Sequence, residues 1–200
     1  MLFWLVVIVI FIPIKLFFPT KTIGKKNLPK GKAIYACNHQ SNVDIMILAC
    51  GIRKKLYALG KAELFKSKIS AWFFRNIGCI KVERGKPDIE AVKKTLNILN
   101  KKDKPMVIFP TGTRHSSQDE INELKNGVAM FSIKTHAPII PMVIVKKPKI
   151  FRFNKLVIGE PLDLSKYEGR KADKELYTEI SQDLQIAMDK LIEDNLKKKK

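Results

Sequence analysis

The chain has 200 residues, 46% of them hydrophobic and 28% charged, which excludes wholesale disorder and suits one domain with a sizeable core, with or without an appendage. Thirty-eight Lys and Arg against 19 Asp and Glu leave a formal charge of +19, so anionic partners come first: nucleic acid, anionic lipid headgroups or phosphorylated substrates. Three cysteines, at 37, 50 and 79, cannot all pair, and none forms a close pair with metal-site spacing; no disulfide framework or zinc site is expected, and a reducing compartment fits.

Residues 1–18 are apolar apart from Lys15. As a helix they reach about 27 Å at 1.5 Å per residue, marginal against a hydrocarbon core of about 30 Å, and Pro13 is expected to kink or end the helix. A secretory signal needs a basic start and a small-residue cleavage site. This segment begins Met-Leu-Phe and ends in bulky residues, so we expect a retained anchor that either spans or lies in one leaflet. Lys21, Lys25, Lys26, Lys30 and Lys32 follow directly. They make residues 19–32 a basic juxtamembrane segment, placed on the cytoplasmic face by the excess of positive charge and suited to anionic headgroups. Lys197 to Lys200 either do the same or form a frayed, solvated end.

From residue 33 onward, short apolar runs alternate with amphipathic ones. Strands are expected at 33–37, 55–59, 78–82, 106–109, 138–145 and 150–158. Helices are expected at 42–50, 67–77 with Ser67 as N-cap, 88–99, 120–135, and along a last face marked by Leu176, Ile180, Leu184, Ala187 and Leu191. The alternation predicts a single α/β domain over 33–200, with a mainly parallel mixed sheet flanked by helices.

Three clusters hold the residues with chemistry. His39 follows the first expected strand within Asn38-His39-Gln40-Ser41-Asn42-Val43-Asp44, and strand C-termini are where α/β sheets place their sites. Five residues on an ideal helix turn through about 500°, so His39 and Asp44 meet only if His39 lies in the turn and Asp44 in the first helical turn. His39 is then a general base and Asp44 fixes its tautomer; otherwise His39 is a turn residue and Asp44 a helix cap. In Phe109-Pro110-Thr111-Gly112-Thr113-Arg114, Gly112 allows close backbone approach, and the hydroxyls with Arg114 suit a phosphate, unless this is an ordinary strand-to-loop turn. Arg84, at the end of 78–84, is a second phosphate contact or a solvated strand end, and Lys61 is a similar basic candidate. His115 reads as a loop residue and His136 as a helix end.

Absences narrow the chemistry. The sequence has no Gly-x-Ser-x-Gly elbow, no phosphate-binding P-loop and no dinucleotide glycine fingerprint. Its cysteines sit where a thiolate is disfavoured. With no covalent nucleophile evident, a His base acting on a substrate hydroxyl fits.

These clusters, in this order, resemble the 1-acyl-sn-glycerol-3-phosphate acyltransferases of the glycerolipid acyltransferase superfamily. Asn38-His39 with Asp44 matches the first block of that family, and residues 78–84 look like the second. Residues 109–114 resemble the third, with Thr111 where the family has Glu, and 139–143 resemble the fourth. The likeness covers about residues 20–160. It implies transfer of an acyl chain from acyl-CoA or acyl carrier protein to the sn-2 hydroxyl of lysophosphatidate, giving phosphatidate. His39 is the implied base, supported by Asp44. Lys61, Arg84 and Arg114 are the implied phosphate contacts; Thr111, Gly112 and Thr113 are implied in substrate binding, with backbone N–H groups near Gly112 as candidates to stabilise the oxyanion. No metal or redox cofactor is implied. The partners are membrane lipids and the two substrates, not nucleic acid. Thr111 keeps another lysophospholipid or glycerol 3-phosphate open as acceptor. A non-catalytic basic membrane-binding protein is the rival from another class.

Overall fold

The computed structural model describes residues 9, 12–83, 88–112 and 124–197. Seven strands form one sheet: β1 (Thr20–Ile23), β2 (Ile34–Cys37), β3 (Tyr57–Lys61), β4 (Cys79–Val82), β5 (Met106–Ile108), β6 (Ile139–Ile144) and β7 (Asn154–Ile158). Their order is β1-β7-β6-β2-β5-β3-β4, and only β6 and β7 run antiparallel. The central strands read as unbroken apolar runs because both faces are covered: all four residues of β2 and all six of β6 are buried.

Alternate residues of each strand feed two cores. On one face, Tyr35, Val107, Ile140 and Met142 pack with Ile47 and Leu48 of helix α1 (Asp44–Ile52). On the other face, Ile34, Met106 and Ile139 meet α3 (Ile89–Asn100), α4 (Gly127–Thr135) and α5 (Lys174–Lys197). This is the expected α/β domain with a mixed, mainly parallel sheet. Helix α2 (Lys68–Asn76) lies outside both cores and buries none of its nine residues. Ser67 caps it in a reciprocal capping box with Ser70, as its position predicts.

Several boundaries differ from expectation. Residues 20–23, read in sequence as juxtamembrane, form β1, paired in parallel with β7 from Thr20↔Asn154. Gly51 explains how α1 lies so close to this edge: a Cβ there would sit 2.7 Å from Leu156 Cδ2 and 2.9 Å from Thr22 Oγ1. Of the helix expected over 120–135, α4 begins at Gly127, and Lys125 before it is bonded through its N–H to Pro110 in the loop after β5; residues 113–123 lie outside the described residues. Ile150 to Phe153 are not strand but an exposed loop before β7. The buried face of α5 runs through Leu176, Ile180, Leu184, Met188 and Ile192, so Ala187 and Leu191 flank it.

The N-terminal anchor expected over 1–18 falls largely outside the described residues. Residues 12–17 are helical, with Ile12, Leu16 and Phe17 exposed and Ile14 buried. No helix among the described residues is long and apolar enough to cross a membrane.

Candidate active site

β6, β2, β5, β3 and β4 are parallel, so their C-terminal ends share one edge of the sheet. At that edge the chain leaves β2 through Asn38, which substitutes for strand pairing. Its Nδ2 donates to the Ile144 carbonyl at 3.0 Å, and the Ile144 N–H donates to its Oδ1 at 2.8 Å. This buried clamp ties the residue before His39 to the end of β6. It also leaves the chain free to turn out of the sheet, because the ladder contacts of Ile144 are met by a side chain.

His39 sits in that turn, and Asp44 is the first residue of α1. His39 Nδ1 lies 2.8 Å from Asp44 Oδ2. The same oxygen accepts the backbone N–H groups of Gln40 and Ser41, each at 2.7 Å. Asp44 is not the cap; Val43 holds that position without a side-chain bond. Instead the carboxylate, fully buried, gathers the turn around itself through three contacts to one oxygen. Asp44 Oδ1 is buried and takes no hydrogen bond. A carboxylate on Nδ1 accepts that nitrogen's proton and leaves the lone pair on Nε2. The imidazole stacks on the Phe109 ring, centroids 4.1 Å apart at 18°, and its side chain is 15% exposed. His39 is thus held in plane and in tautomer, and still open to a substrate.

Phe109 begins the second cluster. The Gly112 N–H donates to the Phe109 carbonyl at 3.0 Å, closing a turn with Pro110 at its second position. Gly112 has φ +70°, the left-handed region, and a Cβ there would meet Lys125 Nζ at 3.1 Å. Glycine is therefore needed twice over: for the backbone angle and for passage of the Lys125 side chain. That N–H, a natural candidate for stabilising an oxyanion, is already engaged within the turn. Thr111 is buried. Lys125 N–H bonds the Pro110 carbonyl at 3.0 Å, which brings the returning chain to the site. Lys125 carries no sequence signal; only the loop's return places it here.

Lys61 ends β3 and is half-buried. Its register through β5 places it level with Asn38, and two strand spacings put its backbone roughly 10 Å from β2. Arg84, Thr113 and Arg114 lie outside the described residues. His136, the predicted helix end, caps α4 in the left-handed conformation.

The thiols stay protonated. Burial pushes Cys79 up to about 11 and raises Cys50. It raises Cys37 well above the ordinary range, helped by the negative charge of Asp44. Among the described residues no three His, Cys, Asp or Glu side chains gather as a metal-ligand set. The arrangement is a carboxylate-oriented imidazole, stacked on Phe109, at the C-terminal edge of the parallel strands.

Comparison with known proteins gives the family and the fold. The Acyltransferase family model matches residues 20–145, from β1 to the residue after β6. The chain is 27% identical over 167 residues to a 1-acyl-sn-glycerol-3-phosphate acyltransferase of Streptococcus pneumoniae, covering 80% of this chain and 61% of that protein. It is 29% identical over 155 residues to the protein of the same name from Cocos nucifera, covering 76% and 50%. The chain thus spans less than two thirds of the length of these relatives. The crystal structure of the 1-acyl-sn-glycerophosphate (LPA) acyltransferase PlsC from Thermotoga maritima superposes with a TM-score of 0.64 at 25% identity, covering 86% of this chain and 71% of that one.

Proposed function

This chain belongs to the Acyltransferase family, and on that premise we propose that it moves a fatty acyl chain from acyl-CoA or acyl carrier protein to the sn-2 hydroxyl of 1-acyl-sn-glycerol 3-phosphate, giving phosphatidate. The observation that carries this reading is the His39–Asp44 pair at the shared strand edge, Nδ1 on the carboxylate and Nε2 left for substrate. The names of the relatives supply the acceptor.

In the proposed reaction, Nε2 of His39 takes the proton of the acceptor hydroxyl as its oxygen attacks the thioester carbonyl. Asp44 holds the imidazolium that forms. The tetrahedral intermediate collapses, the C–S bond breaks, and the departing thiolate takes the proton back from His39. A positioned general base is worth about 10²–10⁴-fold. Lys61, Arg84 and Arg114 are proposed to hold the acceptor phosphate with Thr113. Lys125, over Gly112, joins them on the strength of its position.

The protein is proposed to work at a membrane, anchored by residues 1–18 with its catalytic domain on the cytoplasmic face. Support comes from the apolar N-terminus and from the five lysines between 21 and 32. A second acceptor is favoured by one observation: Thr111, buried at the third position of the turn, brings no charge where the resemblance expects Glu. Another lysophospholipid or glycerol 3-phosphate is that alternative.

The test is acyl transfer by the purified, detergent-solubilised chain, with lysophosphatidate as acceptor and each donor in turn. Phosphatidate is the expected product. Folded protein that makes none with either donor, but acylates glycerol 3-phosphate, moves the assignment to that acceptor.

A further inference from the structure

We propose that the loop between β6 and β7 is a second membrane-contacting element, which seats the catalytic edge of the sheet against an anionic phospholipid bilayer. The inference rests on the membrane reading above and goes beyond it, because it concerns a segment more than a hundred residues from the N-terminal run.

The loop spans residues 145–153, Val-Lys-Lys-Pro-Lys-Ile-Phe-Arg-Phe. Three of its large apolar side chains point to solvent: Ile150 is 58% exposed, Phe151 70% and Phe153 90%. Exposed aromatics so close together are unusual on a protein that meets only water. Lys146, Lys147, Lys149 and Arg152 interleave with them, all exposed, and the loop contains no acidic residue. Apolar rings among cations match a bilayer interface, where acyl chains take the rings and phosphates take the charges. A second copy of a chain carrying +19 is a poor alternative, since it brings like charge to the same surface.

The loop is built, not slack. Val145 N–H bonds the Lys155 carbonyl at 3.0 Å, and Arg152 N–H bonds the Lys149 carbonyl at 3.3 Å. Phe151 N–H bonds the Phe17 carbonyl at 2.7 Å, and the two rings lie 5.3 Å apart at 58°. Phe151 has φ +57°, a strained conformation for a bulky residue, and one that functional positions often retain. Phe17 closes the helical stretch 12–17, whose Ile12 and Leu16 are also exposed, so loop and helix make one apolar surface. That surface is tied to the chemistry by a short rigid path. The loop starts one residue after Ile144, which the Asn38 clamp joins to the residue before His39.

The experiment places a reporter on the loop tip of the full chain. F153W is compared with wild type and with I186W, which puts the same ring at an exposed position on α5. Each is mixed with vesicles of equal parts phosphatidylcholine and phosphatidylglycerol, brominated on the acyl chains. Quenching is read without substrate, so it does not depend on activity. Trp4, within the proposed anchor, and Trp72 fluoresce in all three proteins, so F153W is expected to show a quenched component additional to the signal common to wild type and I186W. The double variant K146Q/K147Q is expected to bind the same vesicles at least roughly tenfold more weakly, from about 1 kcal/mol per cation. If wild type fails to sediment with vesicles, the membrane reading falls and this inference with it. If wild type sediments but F153W quenches no more than I186W, the loop does not insert and this inference alone falls. A dimer in solution that F153S abolishes also overturns it, by giving the surface to a second copy.

Discussion

Asp44 allows a test that separates charge from structure. Its Oδ2 takes the imidazole and both backbone N–H groups, while Oδ1 takes nothing. An amide fits the same space with its oxygen in the Oδ2 position, so Asp44→Asn keeps the turn and removes the charge. We expect kcat to fall at least about a hundredfold with KM for the acceptor little changed, because the lost interaction grows as the imidazolium forms. A KM rise at constant kcat would assign Asp44 to binding instead. Asn38 plays the complementary structural part. Asn38→Ala leaves the buried N–H and carbonyl of Ile144 without partners, which costs about 1–3 kcal/mol for each. Urea unfolding is the readout, and a midpoint within error of wild type contradicts the clamp. The thiols give a third prediction. With Cys79 pushed up to about 11 by burial, the thiolate is scarce below that pH and grows only as pH rises toward it. Iodoacetamide at about pH 8 should therefore leave Cys37 and Cys79 unmodified in the folded protein and modify both in urea. Rapid alkylation with loss of activity would reopen a thiol nucleophile.

Among the elements, α2 depends most on local signals, since it buries none of its residues. Ser67→Ala removes the N-cap bond to Ser70 and should cost about 0.5–2 kcal/mol of local helix stability. Faster amide exchange confined to 68–76 is the expected sign, and unchanged exchange contradicts it. The same element shows what sequence makes legible. Helices with a cap and a 3.6-residue period, such as α2 and α3, and strands that are continuous apolar runs, such as β2 and β6, are written in neighbouring residues. β1 is not: Thr-Lys-Thr-Ile has no strong pattern, and its place comes from pairing with β7, 134 positions on in the register Thr20↔Asn154. The loop at 150–153 misleads in the opposite sense. Ile, Phe and Phe promise a buried strand, yet the structure exposes them. A local apolar run reports that a residue avoids water, without saying whether protein or lipid replaces it.

For the molecule as a whole, the parallel sheet is what joins residues far apart in the chain. The meeting of His39 and Asp44 is legible once the strand end and helix start are placed, because the six residues 38–43 between Cys37 and Asp44 form the turn that the pairing requires. Phe109 beneath the imidazole and Lys125 over Gly112 are not, because each is delivered by strand order and loop return. Charge acts at this scale too. With +19 spread over 200 residues, binding to anionic vesicles should weaken as salt rises from about 0.1 to 1 M, as the Debye length falls from about 10 to 3 Å. The apolar part of the attachment should persist. Complete release by salt would leave the N-terminal segment and the loop without a membrane role.

The most direct measurement is single-turnover acyl transfer to lysophosphatidate by His39→Ala beside wild type, with folding of both checked by circular dichroism. The imidazole is the group held by Asp44, stacked on Phe109 and open at Nε2. Its loss should slow the chemical step by about 10²–10⁴-fold while acceptor binding survives. A folded His39→Ala protein that forms phosphatidate at the wild-type rate would show that the proton goes elsewhere.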